Sequence, residues 1–293
     1  MTTLEDRLSH IQGTINAGAR QRLGAVRRLV APRGTARDRA LEAVMETRTG
    51  EREVRSDVRA VIAAPPKSGN MWLKCLLAST YGLRWLTAED GPKNNTLEGL
   101  REYVERGDFK PGTIFHHHYG YSDEIVRLAE TTPFALLTVI RDPYDLFVSF
   151  YYHMQNFPAK FEAKQDSRHM VIGKPFDHPD VVSYLNDDFG RILRKANAWV
   201  HSGKSIVVRY EDLHRDGVGT MIGVTNQIQP VERAAVEQAV EACRASNMRK
   251  KINPKHVRKA TVGDWQNHLG PQHLAIFRDK YGEMIRSLGY EVR

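Results

Sequence analysis

AVIAAPPKSGNMWLKCLLAST, residues 60–80, decides the fold. An apolar run ends at Pro65 and Pro66, then Lys67, Ser68 and Gly69 follow, and the apolar spacing changes to that of a helix. That switch predicts a buried strand, a tight turn and a helix packed back on the sheet. The helix start would present unpaired N–H groups and a partial positive charge, a seat for a phosphate. Gly69 lets the backbone approach an anion, Lys67 adds a full charge, and Ser68 adds a hydroxyl donor. The nucleotide-triphosphatase pattern G-x-x-x-x-G-K-[ST] is absent, because no glycine stands five positions before Lys67 and the lysine precedes the glycine. So short a loop suits one phosphate better than a triphosphate. An exposed lysine in an ordinary strand–helix turn explains the triplet equally well.

Outward from this stretch, strands are expected at 58–64, 113–118, 134–140 and 205–210. Helices are expected at 71–81, 123–130, 144–154, 191–201, 231–245 and 271–288. The alternation predicts a single α/β domain with a central, mostly parallel sheet flanked by helices, its ligands beyond the carboxyl ends of the strands. Residues 155–180 read as a long irregular loop of the kind that forms lids. Phe157, Phe161 and Phe176 would line an acceptor pocket or simply anchor that loop. Residues 1–56 are arginine-rich and read as a basic helical extension, leaving 57–293 as the domain. That extension either meets an anionic surface or partner or packs, solvated, on the domain.

The chain has 293 residues, 41% hydrophobic and 27% charged, as in an ordinary soluble enzyme. A formal charge of +8 favours anionic partners without choosing among nucleic acid, acidic membranes, phosphorylated small molecules and acidic glycans. Cys75 and Cys243 stand far apart, which suggests neither a disulfide framework nor a zinc site, and both are expected to pack in the core. A reducing, cytoplasmic setting is then the default. The N-terminus, with Glu5 and Asp6, lacks the apolar segment of a secretory signal, and no apolar run approaches the ~18 residues of a spanning helix.

VIRDPYDLFVSFYYHM, residues 139–154, repeats the strand–turn–helix design. Pro143 suits the first turn of a helix. Arg141 can grip a phosphate bidentately, and Ser149, about two turns on, lies on a face that can approach the same spot. Alternatively Arg141 pairs with Asp142 or Asp145 and Ser149 is merely small.

PKSGNMW and RDPYDLFVSFYYH resemble the two signature segments of the cytosolic sulfotransferase family. RKATVGDWQNHL, residues 258–269, is similar to that family's C-terminal R-K-G-x-x-G-D-W motif, and VVRYEDL, residues 207–213, to a fourth, weaker segment. The resemblance implies a P-loop-nucleotide-kinase-like sulfotransferase fold. It also implies transfer of a sulfuryl group from 3′-phosphoadenosine 5′-phosphosulfate (PAPS) to an acceptor hydroxyl or amine, leaving adenosine 3′,5′-bisphosphate (PAP). By this resemblance Lys67 would contact the 5′-phosphosulfate and stabilise the leaving oxygen. Ser68, Gly69, Asn70 and Met71 would donate to the 5′-phosphate, and Trp72 would pack near the adenine. Two threonines are usual where Asn70 and Met71 stand, and the Met71 side chain cannot donate. Arg141 and Ser149 would take the 3′-phosphate, with Arg258 and Lys259 closing over it. Ala260 replaces the usual glycine; its N–H can donate provided the backbone needs no positive φ. Tyr210 and Ser246 would lie near the adenine.

The family places a general-base histidine at the end of the strand before the Arg141 strand. His116, His117 and His118 are the candidates. Alternation along a strand puts His116 and His118 on one side and turns His117 away. Spacing to Arg141 favours His118, and an imidazole titrates near working pH. Alternate facing argues against a metal site built from the triplet, and sulfuryl transfer from PAPS needs no metal. The acceptor would be a small molecule, glycan or lipid rather than nucleic acid, and a homo-oligomer is compatible with the sequence. Competing readings are an ATP- and magnesium-dependent small-molecule kinase, with Asp142 or Asp145 holding the metal, and a non-catalytic anion-binding module.

Overall fold

A computed structural model describes residues 56–87, 89–93, 96–163, 166–244, 246–247 and 259–293. Apart from Ser56, the expected extension over 1–56 lies outside the described residues, as does Arg258.

The apolar run of residues 60–64 becomes β1 (Arg59–Ala63), the middle strand of the sheet. The turn at 64–69 leads into α1 (Asn70–Tyr81), which stops at Gly82 with φ 69°, the left-handed conformation a helix end favours. Along the chain follow β2 (Arg84–Trp85), α2 (Leu97–Glu105), β3 (Thr113–His117), α3 (Asp123–Thr131), β4 (Ala135–Ile140) and α4 (Pro143–Asn156). Then come α5 (Pro158–Glu162), α6 (Ser167–Met170), α7 (Pro179–Asp187), α8 (Gly190–Ser202) and β5 (Ile206–Arg209). The last are α9 (Tyr210–Arg215), α10 (Gly217–Ile228), α11 (Arg233–Ala242), a 3-10 turn (Asp264–Asn267) and α12 (Pro271–Ser287).

All the strands pair in parallel, in the order β2-β3-β1-β4-β5. Alternation divides the core between the two faces. Ala60 and Ile62 of β1 pack with Leu73, Leu76 and Leu77 of α1 and with residues of α10 and α11. Val61 and Ala63 face the other way, onto Leu100, Phe115, Ile125 and Trp199. Each fully buried leucine contributes roughly 1.5–3 kcal/mol by leaving water. A third cluster, with Tyr144, Phe147, Phe189 and Phe277, packs α4 against α7, α8 and α12.

Sequence and structure differ over residues 155–180 and at the two cysteines. The expected irregular loop over 155–180 is largely helical, holding α5, α6 and the start of α7. Phe161 is buried against Phe150, and Phe176 packs tilted against Tyr151 and stacks on His268, so both anchor the segment. Finally, Cys75 and Cys243, expected to pack separately, form a disulfide between α1 and the end of α11. The chain separation of 168 residues concealed that neighbourhood.

Candidate active site

The two similar turns end differently. In the first, Lys67 and Gly69 both take left-handed backbone, φ 68° and 117°, and curl the loop back over the end of β1. Buried Ser68 donates its hydroxyl to Pro65 O at 3.0 Å, and Asn70 Nδ2 donates to the same oxygen at 3.0 Å. No side chain caps α1 and no acid stands in its first turn, which leaves its leading N–H groups for a ligand. A methyl group on Gly69 would sit 2.7 Å from the Tyr210 ring, so only glycine fits there.

In the second turn Asp142 caps α4, its Oδ1 accepting from Tyr144 N at 2.9 Å and Asp145 N at 3.3 Å. That helix start is therefore filled from within, and the anion-binding capacity at β4 rests on Arg141. The Arg141 guanidinium is 8% exposed, lies 4.4 Å from the Tyr210 ring centre and donates from Nη2 to Thr261 O at 3.1 Å. Asp145 Oδ2 is 3.8 Å away, so the anticipated Arg141–Asp145 pairing exists. Asp145, 1% exposed, also accepts from Gly263 N at 2.7 Å and Trp265 N at 2.9 Å. This carboxylate thus latches the GDW segment to the RDPYD segment across more than a hundred residues.

Tyr210 joins the two turns. Besides Gly69 and Arg141 it meets Trp72 at 5.6 Å and His214 at 4.7 Å, and burial holds the His214 imidazole below its usual pKa. Its neighbour Glu211 accepts from Asp142 N at 2.8 Å and from the Tyr290 hydroxyl at 2.8 Å. Burial raises the Glu211 and Asp142 carboxyls above the ordinary range. Asp142 Oδ2 meanwhile takes Arg293 Nη1 at 3.0 Å, so both aspartates suggested as magnesium ligands are engaged by protein donors.

The histidine triplet alternates as expected. His116 and His118 are ring neighbours at 6.1 Å, whereas His117 stacks on Tyr119. Among the described residues no cluster of three or more metal-ligating side chains exists. His118, just past β3, brings Nδ1 to 2.9 Å from Ala64 O. A carbonyl only accepts, so Nδ1 carries the proton and Nε2 keeps its lone pair. Asn70 Nδ2 lies 3.5 Å from the same Nδ1, donor beside donor, so the first turn neighbours the ring there without a hydrogen bond to it. Burial, opposed by the Ala64 bond and reinforced by Lys160, Lys195 and Lys67, pushes the His118 pKa down to about 4.

The remaining candidates are spread more widely. Met71 packs into the core, partly buried. Ser149 lies partly exposed on α4, one turn beyond Asp145. Lys259 Nζ pairs with Asp264 Oδ1 at 2.8 Å. Ala260 adopts φ 55°, so the provision that its backbone need no positive φ is not met. Ser246 is exposed, just before the undescribed 248–258 segment. Sequence reasoning missed Asp145 as a latch and Glu211 as a brace, although both sit inside quoted motifs. It also missed Lys195, which donates to His118 O at 2.8 Å and gave no local signal.

Arg141 Nε, Trp72 Nε1 and Asn70 Oδ1 are buried without a hydrogen-bond partner among the described residues. Unpaired donors on a cation and an indole, beside an uncapped helix start, fit a phosphorylated aromatic ligand. The family model described as sulfotransferase domain matches residues 57–289. The chain belongs to the sulfotransferase domain family.

This sulfotransferase is 22% identical to cytosolic sulfotransferase 3 of Arabidopsis thaliana over 251 residues, covering 79% of this chain and 77% of that one. Cytosolic sulfotransferase 7 of the same plant is 22% identical over 271 residues, 80% of each chain. Among solved structures, mouse sulfotransferase SULT7A1 complexed with PAP aligns at TM-score 0.61 and 15% identity, covering 78% of this chain and 84% of that one. Retinol dehydratase in complex with androsterone and PAP aligns at TM-score 0.51 and 12% identity, covering 80% and 82%. They share the fold of the sulfotransferase described above. Among its described residues no helix is long and apolar enough to cross a membrane.

Proposed function

We propose that the protein transfers a sulfuryl group from PAPS to an acceptor hydroxyl or amine, with His118 as general base. The observation that carries this reading is the 2.9 Å bond from His118 Nδ1 to Ala64 O, which leaves Nε2 as proton acceptor beside the Lys67 turn. PAPS, when bound, supplies the activated sulfuryl group and takes up the displaced charge as PAP. The relatives whose structures hold PAP support that donor.

The residues that would hold it are those of the two turns and the motifs latched to them. Lys67, Ser68, Gly69, Asn70 and Met71 would face the 5′ end. Trp72, Tyr210 and Ser246 would face the base. Arg141, Ser149, Arg258, Lys259 and Ala260 would face the 3′-phosphate. Lys67 would place its ammonium where negative charge gathers, and Arg141, freed from bulk water, would act as a fixed cation. His118 would take the acceptor proton on Nε2 while its Nδ1–H stays on Ala64 O, which keeps the ring in one tautomer and orientation. Residues 57–293 would form the catalytic domain, and the naming of the plant relatives as cytosolic favours a cytoplasmic setting.

Calorimetry with PAP against ATP plus magnesium tests the reading. Binding of PAP without metal is expected; metal-dependent binding of ATP in its place would move the assignment to a kinase.

A further inference from the structure

Tyr290 and Arg293, in the segment that follows α12, reach back to the second turn. Arg293 Nη1 donates to Asp142 Oδ2 at 3.0 Å, and the Arg293 backbone N–H donates to the Tyr144 hydroxyl at 2.9 Å. The same guanidinium lies 5.0 Å from the Tyr144 ring centre and 4.8 Å from that of Trp265, in the GDW segment. Tyr290 donates to Glu211 Oε2 at 2.8 Å, and the Arg209 guanidinium lies 4.8 Å from the Tyr290 ring centre. Arg209 Nη2 also donates to Leu288 O at 2.6 Å, which ties the start of this tail to the end of β5.

The two acids held this way each stand one residue after a nucleotide-site candidate. Asp142 follows Arg141, and Glu211 follows Tyr210. Asp142 N donates to Glu211 Oε1 at 2.8 Å, so the two are joined behind the Arg141–Tyr210 contact. Asp142 Oδ1 caps α4, and among the described residues Oδ2 has Arg293 as its donor. Burial raises the Asp142 carboxyl, and the charge and hydrogen bond of Arg293 oppose that rise. A buried carboxylate deprived of its cation either takes up a proton or turns toward water. Either change weakens the cap that sets the backbone direction at Arg141. Arg293 therefore touches the residue next to Arg141 and the GDW segment at once, while standing outside the set of residues that would hold the nucleotide.

We propose that Arg293 is a positioning residue of the nucleotide site: through Asp142 and Trp265 it holds the Arg141 guanidinium against the Tyr210 ring, in the pose that receives the 3′-phosphate. The inference rests on the reading that Arg141 takes that phosphate. It adds that recognition of the 3′-phosphate is tuned by a residue that does not touch it. The 5′ end, held by the first turn, is indifferent to Arg293.

The test is calorimetry on the full chain with PAP and with adenosine 5′-phosphate, which lacks the 3′-phosphate and is measured by its displacement of PAP. Arg293→Ala is expected to weaken PAP about tenfold and to leave adenosine 5′-phosphate within about twofold, so the preference for PAP narrows. Arg293→Lys, which keeps the charge without the planar fork, should regain part of that preference. Val292→Ala loosens the same segment from the core and keeps the Asp142 contact, so it should lower Tm and leave the preference intact. An unchanged preference in Arg293→Ala, an equal loss for both ligands, the same narrowing in Val292→Ala, or an unaltered chain that binds the two ligands equally overturns the inference. Failure of the unaltered chain to bind PAP at all would overturn the sulfuryl-transfer reading, and this inference with it.

Discussion

The Arg141 guanidinium lies 4.4 Å from the Tyr210 ring centre, and a methyl group added to Gly69 would meet the same ring at 2.7 Å. One aromatic plate therefore sets the spacing between the two strand ends that would hold the nucleotide. Gly69→Ala forces either the ring or the loop to move, at a residue whose φ of 117° already excludes most side chains. PAP affinity should fall by about tenfold or more, equivalent to ~1.4 kcal/mol. Calorimetry checks this, and Gly69→Ala combined with Tyr210→Ser should regain part of the loss.

His118→Ala should lower kcat by roughly 10²–10⁴-fold while PAP binding survives, since the imidazole works on the acceptor proton. Single-turnover assays alongside calorimetry separate the two effects. Equal loss of both would place His118 in the nucleotide site.

Stability should fall on acidification. Burial depresses the pKa of His117 and of His118 from 6.5 to about 4 in the folded chain. Between those values the unfolded chain binds more protons, so the contribution is complete above pH 6.5 and is lost as pH drops toward 4. The titratable and charged groups acting on these rings include His118 and Lys74 on His117, and Lys160, Lys195 and Lys67 on His118. Urea midpoints at pH 7 and pH 4.5 measure the loss, and His117→Gln should reduce the difference between them.

Asp145→Ala removes the acceptor of two buried N–H groups and the partner of Arg141. Each orphaned group costs about 1–3 kcal/mol, so the variant should lose several degrees of Tm and bind PAP more weakly. Asp145→Asn, which still offers one oxygen, should recover part of both.

Ala260→Gly should act in the opposite sense. At φ 55° the alanine carries a penalty of roughly 1 kcal/mol that glycine lacks. A rise in Tm with PAP affinity equal or improved is the expected outcome. A lower Tm would mean that the greater backbone freedom of glycine in the unfolded chain outweighs the relief.

Much of the frame was legible because it is local. The run at 60–64 is apolar throughout and that at 135–140 is apolar but for Thr138, close to what a strand covered on both faces requires, and the lysine and arginine that follow them stand where a parallel sheet exposes its ligands. The histidine alternation is equally a matter of period. What could not be read is tertiary. Asp145 reaching Gly263, Cys75 meeting Cys243 and Lys195 touching His118 join residues 77 to 168 positions apart. No spacing rule signals such contacts. The positive φ at Lys67 was likewise hidden, since lysine advertises no preference for that conformation. Over 155–180, three helix starts sat inside a stretch whose mixed polarity masked their short periods.

The Cys75–Cys243 cystine closes a covalent ring over residues 75–243 that holds the second strand-end turn and the imidazole, while the first turn and residues 259–263 lie outside it. Any fluctuation parting α1 from α11 is removed from the native ensemble as long as the sulfurs remain bonded. Breathing that admits and discharges a nucleotide is consequently left to the segments outside that ring, the carboxyl-terminal strap among them. Amide protons there should exchange with solvent well ahead of those in the ring.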